Sequence, residues 1–235
     1  MNSENVENYL TAIFRLTRES STASTSALAE HLGLTAGSVT GMLKRLSDQG
    51  LVEHVPYYGS QLTPRGRAQA LTLVRRHRLI EQFLVQVLGY AWDSVHAEAE
   101  RLEHAVSDDL VDRMAAVLGH PSEDPHGAPI PLRGQAWEEP VLPSLEDLEP
   151  GSRAVLRRVP DEDAETLRYL ARLHVVPGTV VTVIERTPCQ GPLRIRVGDA
   201  EHYLGLELSR QLRVEPLSAA KEAESVGGLL TGRSS

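Results

Sequence analysis

In ENVENYLTAIFRLTRE (4–19) the apolar positions Val6, Tyr9, Leu10, Ile13, Phe14 and Leu16 recur at helical spacing, as they do when one face of a helix meets a core. TSALAEHLGLT (25–35) predicts a short second helix, with Thr25 or Ser26 as its N-cap and Gly33 at its end. TAGSVTGMLKRLSDQGL begins a third, capped by Thr35, stopped by Gly50, with Val39, Leu43 and Leu46 turned inward. Two short helices joined by a tight glycine turn form a helix-turn-helix. LVEHVPYYGSQLTPRGR reads as two short strands around YYG, a β-hairpin wing, after which Thr63-Pro64 opens a long helix, with proline where the first turn tolerates it. The long helix closes near Gly89. Asp93 or Ser94 caps the next helix, and Ser107 caps the one over SDDLVDRMAAVLG.

Beyond Gly119 the pattern changes. Residues 121–150 hold seven of the fourteen prolines, which predicts a linker. RAVLRRV, TVVTVIERT, LRIRVG and EHYLGLEL then follow as short β-rich runs bounded by Gly and Pro, with a short helix in DEDAETLRYLARL. A mainly α N-terminal part with a winged helix-turn-helix is therefore followed by a small β-barrel. The expected divisions are 1–72 (DNA binding), 73–145 (helical, with the proline-rich linker), 146–216 (barrel) and 217–235 (a flexible tail).

Composition adds three constraints. No run of about 18 apolar residues and no basic-then-apolar leader is present, so the reading is a cytoplasmic protein without a membrane partner. The lone Cys189 excludes an intrachain disulfide and any multi-cysteine zinc site. The net charge of −8 is uneven: residues 1–80 carry nine Lys/Arg against six Asp/Glu, the remainder fifteen against twenty-six. A basic portion that faces DNA, joined to an acidic portion, accounts for the asymmetry.

Within the acidic portion, HAEAERLEH (96–104) places His96, Glu100, Glu103 and His104 at i, i+4, i+7 and i+8 on one helix face, with Glu98 on the other side. A charged stripe is most often a solvated face. HRLIEQFL (77–84) repeats the device with His77 and Glu81 at i, i+4, and two such helices can pool nitrogen and oxygen ligands. A di-metal carboxylate enzyme would need Glu-x-x-His on two helices. That spacing occurs once, in EDPH (123–126), in a proline-bounded context. His-Glu-x-x-His is absent as well, so a zinc protease is excluded. The chain therefore reads as a non-enzyme, with a metal-independent winged-helix regulator as the other alternative. His31, His54, His120, His126, His174 and His202 read as solvated or core-satisfied, and Cys189, in the turn TPCQGP, as a structural or incidental thiol.

The order of winged helix-turn-helix, RRHRLIEQFL, VHAEAERLEHAVSDDL and GHPSEDPHGAPIP resembles the diphtheria toxin repressor family of metal-activated DNA-binding regulators of iron and manganese homeostasis. The resemblance covers the chain to about residue 216. It implies a helical metal-binding and dimerisation domain, an Src-homology-3-like (FeoA-like) barrel, Mn(II) or Fe(II) as cofactor, and a homodimer on a palindromic double-stranded DNA operator. It also implies one metal site at His77, Glu81 and His96 and a second at Asn8, Glu100, Glu103 and His104. The family completes the first site with a barrel carboxylate and a polar neighbour three residues on. Here these are Asp163 and Thr166, or, one residue earlier, Glu162 and Glu165.

Two departures stand out. Glu100 matches the manganese-type members rather than the iron-type ones, which carry a soft ligand there. Asn8 and Thr11 stand where manganese-type members have carboxylates, and they offer only a neutral carbonyl and a hydroxyl.

In a helix-turn-helix the N-terminal end of the second helix meets the major groove. Thr35, Ser38 and Thr40 can bond phosphates or bases there, and Ala36, Gly37 and Gly41 permit close approach. Lys44, Arg45, Arg65 and Arg67 are candidate phosphate contacts. With no Arg, Asn or Gln in the turn for a bidentate base contact, shape and phosphate positioning are expected to carry much of the specificity.

Overall fold

The computed structural model describes residues 3–18, 21–55, 58–134, 137–161 and 163–217. The expected flexible tail beyond 217 therefore lies outside the described residues. The chain forms two compact units. The first runs to Phe83 and adds Ala97–Ser122 and Ile130–Glu138; the second takes Leu84–His96, Glu123–Pro129 and the chain from Glu139 onward. Among the described residues no helix is long and apolar enough to cross a membrane.

In the first unit, α1 (Ser3–Leu16), α2 (Thr25–Leu32) and α3 (Ala36–Asp48) precede the antiparallel hairpin β1 (Val52–Val55) and β2 (Gly59–Leu62). Leu10, Ile13 and Phe14 of α1 meet Leu28, Val39, Leu43 and Leu46 in one core, so the apolar spacing of the sequence is the packing face of each helix. Ser24, not Thr25 or Ser26, caps α2. Its backbone is extended and its hydroxyl accepts the Ala27 N–H at 3.1 Å, while Thr25 is already helical. Gly33 leaves α2 at φ +64°, a conformation glycine adopts without steric cost. Thr35 caps α3 as expected, accepting from the Ser38 N–H. His54 is satisfied across the hairpin by the Ser60 hydroxyl at 2.8 Å.

The long helix α4 (Pro64–Gln86) follows, then α5 (Val95–Glu103) and α6 (Asp108–Val117), the last capped by Ser107. α4 buries residues that a solvated helix would expose: besides Ala70, Leu79 and Ile80, the charged His77, Arg78 and Glu81 are all buried. α5 ends at Glu103, so His104 sits in the turn beyond it rather than on the helix.

The second unit carries five strands, β3 (Arg153–Arg158), β4 (Val180–Arg186), β5 (Leu193–Val197), β6 (Ala200–Leu204) and β7 (Arg213–Pro216), with α7 (Ala164–Arg172) between β3 and β4. They form one antiparallel sheet in the order β6-β5-β4-β3-β7. Register shifts at Leu156/Arg158 and Val183/Glu185 bend the sheet locally. Ala154, Leu156, Val181, Val183, Leu193 and Ile195 alternate inward to make its core. The run EHYLGLEL is strand only as far as Leu204; after Gly205 the chain turns into α8 (Leu206–Gln211). His126 is fully buried; its Nε2–H donates to the Trp92 carbonyl at 2.7 Å, and its ring stacks on that of Trp92.

Candidate metal centre and DNA-binding face

α4 and the end of α5 bring five titratable side chains of the first unit into one continuous chain with α1. Glu81 Oε1 lies 3.0 Å from His77 Nε2, and Glu103 Oε2 lies 2.5 Å from His77 Nδ1. Glu103 Oε1 then lies 3.4 Å from His104 Nε2, and His104 Nδ1 lies 2.6 Å from Glu7 Oε2. The order is Glu81–His77–Glu103–His104–Glu7, carboxylates alternating with imidazoles. The i, i+4 spacing of His77 and Glu81 on α4 produces the first contact, and α5 brings Glu103 to the opposite ring nitrogen. Arg76 helps to fix that end of α5, donating from Nη1 to the Glu103 carbonyl at 2.9 Å; a cation at a helix C-terminus is favourable in its own right.

Burial makes the cluster electrostatically tense. Glu81 is 0% exposed, His77 5% and Glu103 8%. Ionised carboxylates only accept hydrogen bonds, so an imidazole between two of them carries a proton on each nitrogen. For His77, burial is the largest single influence and favours the neutral ring, but attraction and hydrogen bonds from Glu81 and Glu103 together outweigh it and raise the pKa to about 10. The centre thus holds a cation in the form of a protonated ring.

The donor chemistry fits a divalent ion. Two imidazoles and three carboxylates are available without a thiolate, because Cys189 is exposed in the second unit. A set of nitrogen and hard oxygen donors suits Mn(II) or Fe(II).

The other residues singled out from sequence are distributed as follows. Asn8 is half-buried on α1, Glu100 is exposed on α5, and His96 is half-buried in the first turn of α5. Thr11 donates its hydroxyl to the Glu7 and Asn8 carbonyls of its own helix, both at 3.1 Å. Asp163 is the N-cap of α7: its carboxylate accepts from the Glu165 and Thr166 N–H groups at 3.1 Å and from the Thr166 hydroxyl at 2.5 Å. These bonds, the Thr166 hydroxyl foremost, hold its pKa below the usual carboxylate range. Glu162 lies outside the described residues. Glu7 did not emerge from the sequence. It stands one position before Asn8 on the half-polar edge of α1, and the only available signal was its carboxylate beside a position where a carboxylate was expected.

On the DNA side, Thr35, Ala36, Gly37, Ser38, Thr40, Lys44 and Arg45 are exposed along α3, with Gly41 half-buried among them. Thr40 donates its hydroxyl to the Ala36 carbonyl at 2.8 Å and keeps its lone pairs for an incoming donor. A Cβ added at Gly37 or Gly41 would meet nothing within 4 Å, so this surface is open. Arg67 is engaged within the unit instead, donating to the Trp137 carbonyl and lying over the Phe14 ring.

Three family models match. Residues 1–60 match the iron-dependent repressor N-terminal DNA-binding domain, 63–132 its metal-binding and dimerisation domain, and 144–216 the FeoA domain. The iron-dependent repressor IdeR of Mycobacterium tuberculosis is 33% identical over 224 residues, spanning 90% of this chain and 97% of that protein. The diphtheria toxin repressor of Corynebacterium glutamicum is 29% identical over 226 residues, spanning 90% and 96%. Among solved structures, a manganese-dependent transcriptional repressor in complex with manganese superposes with a TM-score of 0.84 at 37% identity, covering 90% of this chain and all of that one. The chain belongs to the iron-dependent repressor family, that of the diphtheria toxin repressor.

Proposed function

We propose that this protein is a homodimeric transcriptional repressor that binds a palindromic operator when Mn(II) or Fe(II) occupies sites built on α1, α4 and α5. The observation that carries the reading is the Glu81–His77–Glu103–His104–Glu7 chain, buried at its first three members, which lies in the same compact unit as the winged helix-turn-helix. His77, Glu81 and His96 would hold one ion, with Asp163 or Glu162 as the barrel donor; Asn8, Glu100, Glu103 and His104 would hold the second. For Asp163 to serve, it would have to give up part of its capping role on α7.

A bound divalent ion supplies a charge that neutralises several carboxylates at once. The chain's own residues set what that charge does. Glu81 and Glu103 repel one another in a site with little water, and a single proton on His77 offsets that only partly. Glu103 and His104 leave α5 toward α1, and α1 packs through Leu10, Ile13 and Phe14 on the core shared with α2 and α3. Tightening the α4–α5–α1 junction therefore fixes the position of α3, which presents Thr35, Ser38 and Thr40 to the groove. A coupling of about 1–3 kcal/mol corresponds to roughly 5- to 150-fold in operator affinity.

The test is operator affinity of the purified chain with Mn(II), with Fe(II) under anaerobic conditions, and with chelator, at fixed salt. Metal is expected to tighten binding within that range. Equal affinity with chelator would establish the metal-independent regulator instead.

A further inference from the structure

α3 carries exposed cations on the DNA-binding face; the wing that follows it carries none. From Val52 to Thr63 the chain reads VEHVPYYGSQLT, without lysine or arginine. Its two ionisable strand side chains are engaged across the hairpin: Glu53 accepts from Gln61 Nε2 and His54 meets the Ser60 hydroxyl, both at 2.8 Å. What the wing turns outward is Tyr58, at 80% the most exposed of the tyrosine, tryptophan and phenylalanine side chains among the described residues.

The tip that presents Tyr58 is held in place. The Thr22 hydroxyl donates to the Tyr58 carbonyl at 2.9 Å. Ala23 and Ser60 exchange two backbone hydrogen bonds, each of 2.8 Å, and so tie the hairpin to the α1–α2 connection. Gly59 has φ +108°, and a Cβ there would fall 2.9 Å from Thr22 Oγ1, so the tip sits on residues 22 and 23 without room for a side chain. Those residues lead straight into α2, which Ser24 caps. In a helix-turn-helix this first helix crosses the DNA backbone, and the wing tip is fastened to its N-terminal end.

We propose that Tyr58 is the wing's contact with DNA, its phenol O–H donating to a backbone phosphate. The proposal rests on the operator-binding reading above and adds to it a contact outside α3. A phenol donates without carrying charge, and tyrosine is among the side chains that bond DNA phosphates. A wing without lysine or arginine can make such a contact only through a neutral donor. The consequence is specific: a charged contact releases a condensed counterion and steepens the salt dependence of binding, whereas a neutral one adds affinity and leaves the slope alone.

The test uses the full chain loaded with Mn(II) and, as probe, the palindromic duplex that the parent protein selects from a pool of random-sequence DNA. Affinity is measured by fluorescence anisotropy over a series of salt concentrations for the parent, Tyr58→Phe, Tyr58→Ala and Lys44→Ala. Tyr58→Phe is expected to weaken binding by roughly 2- to 10-fold per subunit at every salt concentration, with a line of log K against log salt parallel to the parent's. Lys44→Ala, in contrast, should flatten that line by about one. Melting temperature and Mn(II) affinity should stay at the parent's values in Tyr58→Phe, which removes one exposed hydroxyl. Parental affinity in Tyr58→Phe overturns the assignment, even if Tyr58→Ala binds weakly, because the hydroxyl then makes no bond. A loss of affinity accompanied by a lower melting temperature or weaker Mn(II) binding overturns it as well. If the parent selects no duplex, the operator-binding reading fails and the assignment falls with it.

Discussion

At the scale of single residues, the centre is governed by the competition between burial and charge. A lone imidazole as buried as His77 would be neutral at pH 7; Glu81 and Glu103 reverse that and raise its pKa to about 10. The raised value fixes the sign of the pH dependence. In the metal-free protein the protonated ring stabilises the fold fully below pH 6.5 and loses that contribution as the pH climbs toward about 10. Metal requires the neutral ring, so proton and metal compete. Mn(II) uptake at pH 7 is therefore expected to release close to one proton from His77, with affinity rising by up to about tenfold per pH unit from this group alone. Calorimetry in buffers of different ionisation enthalpy measures that release; none would show His77 to be neutral beforehand or outside the site. His77→Ala and Glu81→Ala should each weaken Mn(II) by at least about tenfold, whereas His126→Ala, which removes a hydrogen-bonded core ring of the second unit, should act on stability and leave Mn(II) affinity nearly unchanged. Similar losses in all three would refute the assignment.

Between elements, two glycines distinguish packing from function. Gly66 lies in the first turn of α4, where an added Cβ would fall 1.9 Å from the Leu51 carbonyl oxygen, a backbone atom of the wing junction. Thr63 closes that junction, donating to the Gly50 carbonyl and accepting from the Gly66 N–H. Gly66→Ala should destabilise the first unit by about 1–3 kcal/mol, as overpacking does, despite alanine's better helix propensity. Gly41 is also helical but meets nothing within 4 Å, so Gly41→Ala should stabilise by about 0.5–1 kcal/mol and weaken operator binding where the backbone must approach DNA. Thermal unfolding paired with operator titration reads both. A Gly66→Ala protein of unchanged melting temperature would contradict the close approach, and a Gly41→Ala protein with undiminished operator affinity would remove this part of α3 from the interface.

For the whole molecule, the uneven charge implies an interaction dominated by phosphates. Lys44 and Arg45 stand exposed on α3, and Arg65, also exposed, donates to the Gln49 carbonyl. Operator affinity is expected to fall steeply with salt, log K against log salt having a slope of about −0.9 for every phosphate neutralised. Lys44→Ala should make that slope shallower by about one, the share of a single phosphate. A slope near zero would rule out this mode of binding.

The sequence by itself determined the elements and their order. Apolar spacing fixed α1 to α6, and threonine, serine and glycine at the ends set most boundaries, because helix periodicity and capping are local properties of the chain. It also brought His77 to Glu81, a contact made by one turn of one helix. Where the local signal was ambiguous, as between Ser24, Thr25 and Ser26 or across Gly205, backbone conformation settled the boundary. Tertiary structure alone decided the rest. Glu103 and Glu7 come from chain segments nearly a hundred residues apart, and only the packing of α1, α4 and α5 sets them on either side of His104. The same packing buries His77 and Glu81, residues that would be solvated on an isolated helix, and burial beside two carboxylates converts an ordinary charged stripe into a centre that holds the His77 ring well above its usual pKa.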